Sequence, residues 1–305
     1  MDILVIAEKK IKADAFLQAL KEKGVHAKYL RVSKITLVSK HKETLIKALG
    51  KELPLYDAVF IYVRPTLAQF IEPLLEELTN QGIYCNAKKG AYYIALNEPY
   101  QFVTLAIEGI PAPRTISSAS AKHIEKLSKK IYYPLLAKSF INKKPQQALI
   151  VNNSRELNIF IKSIKTEIEG FILREFIQGD TISCVVIGRK VFAIKRKHFD
   201  GEVAEISKGT CYKPTENEEK IAISAAHACK LDIARVDLVK GKVVKVEPSF
   251  PLEEFDNICS DNLEECVAHF LIEKAEQHES KRKTTYDFLG IKKLLSKTIL
   301  ARFFK

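Results

Sequence analysis

RVDLVKGKVVKVEPSF, residues 235–250, sets two β-branched arms around Lys240-Gly241-Lys242 and plants a carboxylate in each arm, Asp237 and Glu247. Strand side chains alternate between faces with period two, so the length of the turn decides whether the two acids meet. A two-residue loop at Lys240-Gly241 pairs Val239 with Lys242 and sends the acids to opposite faces. A three-residue loop pairs Val239 with Val243 and Asp237 with Lys245, placing Glu247 diagonally from Asp237 on the same face. That register also gathers Val236, Leu238, Val244 and Val246 on the other face, as a half-buried hairpin requires. Same-face acids supply hard oxygen ligands in the number magnesium uses. The same face also carries Arg235 and Lys245, and a plain ladder of ion pairs, Asp237 with Lys245 and Glu247 with Arg235, is the other reading.

Outward from the hairpin, the chain changes character near residue 95. DILVIAEKKIKADAFLQALKEKG reads as a buried strand, Ile3 to Ala7, then a helix with apolar positions at Ala15, Leu17 and Leu20 that stops at Gly24. YDAVFIYVRP and QFIEPLLEELTNQG repeat the strand–helix order, and such alternation builds a parallel sheet covered on both faces. After it come helix YQFVTLAIEG, extended IPAPRTI, helix ASAKHIEKLSKK, strands YYPLLAKSF and FILREFI, and two strands joined across Gly188 in TISCVVIGRKVFAIKRK. A helix, EEKIAISAAHACKL, the opening hairpin and a helix from about Leu263 to His278 follow. Strands dominate this part, the mark of an α+β unit on antiparallel sheets.

Composition narrows the function class. With 305 residues the chain can bury a sizeable core, and 47% hydrophobic with 28% charged residues is ordinary for a globular protein. No apolar run has the length of a membrane span, and MDILVIAEKK lacks the pattern of a signal peptide. The six cysteines are scattered without a C-x-x-C pair, which reads as reduced thiols in a cytoplasm. Of the net charge of +12, residues 281–305 hold +7, leaving +5 for the other 280 residues. A domain-wide basic face is therefore not built, which argues against nucleic acid. Neither G-x-G-x-x-G after the first strand nor G-x-x-x-x-G-K-[ST] occurs, so a nucleotide would need another scaffold.

The ordered stretches YDAVFIYVRP, NEPYQFVTLAIEGIPAPRTI, YYPLLAKS, ILREFI, VVIGRKVFAIKR and ARVDLV with VVKVEPSF cover about residues 55–252. No one of them is specific; together and in this order they resemble the ATP-grasp superfamily, in the branch of the ribosomal-protein glutamate ligases and related carboxylate–amine ligases. The resemblance implies a mixed α/β and α+β architecture: an N-terminal α/β domain at 1–95, a small lobe at 96–170, a large lobe at 171–280 and a basic amphipathic tail at 281–305. ATP would lie in a cleft between the lobes with magnesium. Lys138 would contact nucleotide phosphates, Glu175, Phe176 and Ile177 would line the adenine, and Asp180 would lie near the ribose. Asp237, Glu247 and Ser249 would hold the metal, and Arg196 or Lys197 would reach the γ-phosphate or an acyl phosphate. The substrates implied are a small-molecule carboxylate and an amine, with glutamate-like amino-acid addition as one form. The residues support part of this independently: Lys138 alternates with Leu136 and Phe140, so its ammonium starts from an apolar setting and needs an anion, either a phosphate or a neighbouring carboxylate.

The chain departs from the branch at four places. SFINKKPQQALIV, where members carry a glycine-rich phosphate loop, has no glycine, and Lys143 and Lys144 cannot reproduce a backbone cradle. Glu98 stands where a phosphate-contacting lysine is usual, Ser183 replaces an arginine, and Ser249 an asparagine. Ser249 still offers an oxygen, while the missing glycines and Glu98 motivate an alternative function class, a degenerate ATP-grasp protein acting as a nucleotide-binding or regulatory module. In the tail, Phe288, Ile291, Leu295 and Ile299 follow helical spacing among Lys292, Lys293, Lys297 and Arg302, a pattern suited to an acidic partner, a membrane surface or packing on its own protein.

Overall fold

A computed structural model describes residues 1–41, 43–141, 144–163, 170–197 and 209–288. Contacts divide the chain into two compact units: Met1–Val63 with Phe70–Lys88 and the chain from Glu264 on, and Arg64–Gln69 with Lys89–Leu263.

The first unit is built on a parallel sheet. β1 (Asp2–Ala7) is followed by α1 (Ile11–Glu22) and β2 (His26–Arg31). Residues 35–52 then form a separate antiparallel sheet of β3 (Ile35–Lys40), β4 (Glu43–Ala48) and β5 (Lys51–Glu52). It has no clear apolar alternation to announce it, since only Ile35 and Ile46 in these strands are buried. β6 (Ala58–Tyr62), α2 (Ala68–Asn80) and β7 (Tyr84–Cys85) complete the main sheet in the order β2-β1-β6-β7. Phe16 of α1 meets Phe60 edge-on at 4.9 Å between ring centroids. The inward face of α1 is Ala13, Phe16, Leu17 and Leu20, while Ala15 is exposed, contrary to the expectation for that position; the spacing i, i+3, i+4, i+7 starts two residues earlier than read. Past β7, the Asn86 side chain accepts from the Ile61 N–H at 2.7 Å and donates to the Ile61 C=O at 3.2 Å, continuing the sheet with a side chain.

The second unit opens with α3 (Ala91–Leu96) and α4 (Glu98–Ile107), whose N-terminus is capped by Asn97 accepting from the Tyr100 N–H. β8 (Thr115–Ser118), α5 (Ala121–Ser128), β9 (Leu135–Ile141), β10 (Lys144–Val151), α6 (Ser154–Ser163) and β11 (Gly170–Glu175) follow. Their sheet has the order β10-β9-β11-β8 and is antiparallel throughout. Period two divides its residues: Leu135, Ala137, Phe171 and Leu173 join Ile124, Leu157 and Phe160 in a core, which turns Leu136, Lys138 and Arg174 to the other face. The glycine-free stretch is thus the β9–β10 hairpin; its turn at 142–143, with Lys143, lies outside the described residues.

A second antiparallel sheet, β14-β13-β12-β15-β16, is formed by β12 (Thr181–Ile187), β13 (Lys190–Arg196), β14 (Thr210–Tyr212), β15 (Ile233–Val239) and β16 (Lys242–Glu247). α7 (Glu216–Ala228), begun by a capping box of Thr215 and Glu218, presents Ala222, Ala225 and Ala226 as its buried residues. α8 (Leu252–Cys259) follows β16, and α9 (Leu263–Phe288) runs on ten residues past the expected end. The tail from residue 289 lies outside the described residues. Cys211 of β14 and Cys259 of α8 form a disulfide with Cα atoms 4.9 Å apart. The expectation of six reduced thiols fails because sequence spacing does not show which cysteines a sheet edge and a helix end bring together.

The β15–β16 hairpin follows neither anticipated register. Lys240 and Gly241 have φ of 49° and 72°, the two positive values of a two-residue turn, and Val239 pairs with Lys242 and Leu238 with Val243. Val244 then bulges out, and the ladder resumes with Asp237 opposite Lys245 and Arg235 opposite Glu247. The bulge returns both acids to one face despite the short turn, and Val243, fully buried, takes the core position expected of Val244.

Candidate active site

Asp237 and Glu247 converge on a single atom. Arg235, two residues before Asp237 and so on its face, sets Nη2 at 3.2 Å from Asp237 Oδ2 and 2.5 Å from Glu247 Oε2. Asp237 Oδ1 accepts from Ser183 Oγ at 2.6 Å and from Arg196 Nη2 at 3.4 Å, and Ser183 Oγ also accepts from Arg196. Lys245 Nζ lies 2.5 Å from Glu247 Oε1. The anticipated Asp237–Lys245 pair is therefore replaced by two arginines on the aspartate. Pairing across β13, β12 and β15 explains this: Ser183 stands directly opposite Asp237, and Arg196 reaches over from the neighbouring strand.

Arg196, Arg235 and Lys245 are the cations paired with these two carboxylates. Arg235 Nε is buried without a hydrogen-bond partner among the described residues, a donor that an entering anion would satisfy. Ser249 is half-buried two residues beyond Glu247, and Lys197 is exposed at the end of β13. Sequence reasoning gave Arg235 no role beyond the ladder, although period two already placed it beside Asp237.

On the other sheet, Lys138 finds the carboxylate alternative. Its Nζ donates to Glu98 Oε2 at 2.8 Å and Oε1 at 3.1 Å, and Arg174 Nη1 reaches Glu98 Oε1 at 2.9 Å. Arg174 also donates to the Val244 carbonyl at 3.1 Å and lies over the Phe102 ring, 5.0 Å from its centroid. Burial pushes the Lys138 ammonium below its ordinary range, Glu98 pulls it back up, and Arg174 and Lys245 add to the downward push. The Lys245 contribution places the hairpin charges within electrostatic reach of Lys138. Arg174 was not anticipated, and period two from Leu136 and Lys138 across the ladder was the available signal.

Beside this group opens a cavity of 620 Å³ lined by Tyr93, Asn97, Glu98, Ser117 and Phe140 among others, in the size range of ligand pockets. The Glu175 carboxylate is held by Lys242 Nζ at 2.9 Å and by the Arg114 N–H at 3.3 Å, and Lys242 is the main cause of its lowered pKa. The Phe176 N–H donates to the Pro134 carbonyl at 3.0 Å, and Ile177 follows half-buried. Asp180 pairs with Lys195 at 3.2 Å.

These elements match known proteins. A family model for the RimK-like ATP-grasp domain covers residues 100–270. A probable alpha-L-glutamate ligase of Legionella pneumophila is 26% identical over 247 residues, 77% of this chain and 82% of that protein. A protein of the same name from Coxiella burnetii is 25% identical over 276 residues, 85% of this chain and 92% of that one. Among solved structures, the ATP-grasp ligase PsnB complexed with a minimal precursor, Mg and ADP superposes with a TM-score of 0.68 at 12% identity, covering 90% of this chain and 97% of that one. The family match takes in both antiparallel sheets of the second unit and every anticipated site residue. The chain belongs to the RimK-like ATP-grasp family, whose chemistry is the ATP-dependent ligation of a carboxylate to an amine.

Proposed function

We propose that this chain activates a carboxylate with ATP and couples it to an amine, using residues 96–170 and 171–280 as the two lobes of the nucleotide site, with residues 1–95 as an N-terminal domain preceding them in the sequence. The observation that carries the reading is the meeting of Asp237 and Glu247 on one face with Arg235 and Arg196 beside them. The residues fit a divalent cation: two carboxylates already share one cationic atom, the Arg235 Nη2, and magnesium uses one or two carboxylates with phosphates and water. Asp237 and Glu247 would hold it, with Ser249 following on the same segment, and bound there it would offset phosphate charge during transfer. Arg196 and Arg235 would bind the γ-phosphate, the latter with its Nε donor, with Lys197 close by on the chain. Lys138 would bind the inner phosphates. Glu175, Phe176 and Ile177 would border the adenine, and Asp180 the ribose.

The reaction would pass the γ-phosphoryl to the substrate carboxylate, giving an acyl phosphate and ADP. Attack of the amine on the acyl carbon then forms the amide and releases phosphate. No side-chain nucleophile is needed, and the arginines stabilise charge at the transferring group. The named ligases among its relatives make glutamate the first amino acid to test, and the peptide-bound neighbours make a peptide carboxylate or amine the second class. ATP consumption implies the cytoplasm as the working compartment, and among the described residues no helix is long and apolar enough to cross a membrane.

Calorimetric titration of ATP with and without magnesium, then an ADP-release screen over amino acids and peptides, tests the reading. Magnesium-dependent ATP binding that Asp237→Asn removes is the expected result. No binding at millimolar ATP would sink it.

A further inference from the structure

The Glu98 contact has a meaning of its own. Glu98 is the first residue of α4, and its carboxylate meets Lys138 through both oxygens and Arg174 through one. All three side chains are largely buried, at 21%, 20% and 12% exposed in that order. An ammonium has three donors and a carboxylate no donor when ionised. Two of the contacts Lys138 can offer a phosphate are thus directed at Glu98, and the local charge falls from two positive to one. Glu98 also lines the 620 Å³ cavity and is the charged member of that lining among the described residues. A ligand entering there comes upon the Glu98 carboxylate, while Lys138 is not among the residues lining the cavity.

We propose that Glu98 is an internal competitor for nucleotide phosphate, a residue that sets how strongly the site selects ligands by their phosphate chain. The inference rests on the reading that Lys138 binds phosphate. For a phosphate to reach Lys138, the carboxylate must give up its pairs or share the cations, and each added phosphate charge raises the repulsion it meets. Glu98 therefore lowers affinity in proportion to phosphate charge and leaves nucleoside affinity alone. Arg174 is the cation to which a displaced Glu98 can stay bound, since its guanidinium offers five donors and only part of them are taken by Val244 and Glu98.

Titrations of adenosine, AMP, ADP and ATP into wild type, Glu98→Gln and Glu98→Asp, each checked for folding by circular dichroism, test this. Glu98→Gln keeps an acceptor for both cations and removes the charge. ATP should bind it about 10-fold tighter or more, with the gain shrinking through ADP to AMP and absent for adenosine. Glu98→Asp keeps the charge but withdraws it, and its ATP affinity should fall between the other two. If Glu98→Gln fails to fold, ATP binding by Glu98→Asp tighter than wild type still supports the proposal, and unchanged or weaker binding overturns it. For folded Glu98→Gln, equal or weaker ATP binding overturns it, as does a gain that is the same for adenosine and ATP. Lys138→Met separates this inference from the reading beneath it. If Lys138→Met binds ATP as wild type does, the phosphate role of Lys138 is gone; if it loses ATP while Glu98→Gln gains nothing, only the role of Glu98 is gone.

Discussion

Asp237 and Lys245 stand opposite each other across the β15–β16 ladder, yet the lysine ammonium pairs with Glu247, leaving the aspartate to Arg235, Arg196 and Ser183. The two hairpin cations that pair with these acids, Lys245 and Arg235, should therefore differ sharply in worth. Lys245 is 53% exposed, and an exposed pair contributes about 0–1 kcal/mol. Lys245→Met should leave stability within about 0.5 kcal/mol of wild type in urea unfolding.

Arg235→Met removes the cation between the buried Asp237 and the partly buried Glu247. Breaking such a pair costs roughly 3–5 kcal/mol, so urea unfolding should show a loss of about 3 kcal/mol without divalent ions. If Asp237 and Glu247 accept magnesium, adding it should raise the melting temperature of Arg235→Met more than that of wild type. Equal shifts would remove these acids as a metal pair.

Gln101 is the buried clamp on the outer edge of β16: its side chain donates to the Val246 carbonyl at 2.8 Å and accepts the Val246 N–H at 3.0 Å. Gln101→Leu leaves both backbone groups unsatisfied and should cost about 2–3 kcal/mol. ATP affinity should weaken as well, because Glu247 is the next residue. Stability unchanged in urea would show that β16 needs no such clamp.

The Glu175 carboxyl is held below its ordinary range chiefly by Lys242. A depressed carboxylate contributes stability that is fully present above its unfolded value near 4.5 and is lost as pH falls through the folded value. Both partners are more than a third exposed, so the contribution is small and screened by salt. Urea midpoints at neutral pH and below 4.5 should differ less in Lys242→Ala than in wild type at low salt, and the contrast should fade at high salt.

Alkylation of unreduced protein in urea should label four of the six cysteines, Cys85, Cys184, Cys229 and Cys266. In folded protein Cys266 should react first, since burial pushes Cys85 and Cys229 up to about 12 and Cys184 higher still. Six labels without reductant would contradict the Cys211–Cys259 bridge.

Much of the fold was legible because apolar periodicity is strong where both faces are buried, as in β1 and β6. The sheet at 35–52 was not, since only Ile35 and Ile46 are buried there. At the site, period two put Asp237, Glu247 and Arg235 in range of one another. It could not choose between a longer turn and a bulge, because either one absorbs the same odd residue and leaves Asp237 opposite Lys245. Nor could it find the anion for Lys138, which lies 40 residues earlier on a helix.

Spending that odd residue at Val244 has a mechanical result. The bulged carbonyl binds Arg174, and Arg174 holds Glu98, so one guanidinium is the joint between the acid hairpin and the cation group on the neighbouring sheet. A ligand that draws Glu98 aside loads that joint, and the pull arrives at the backbone three residues before Glu247.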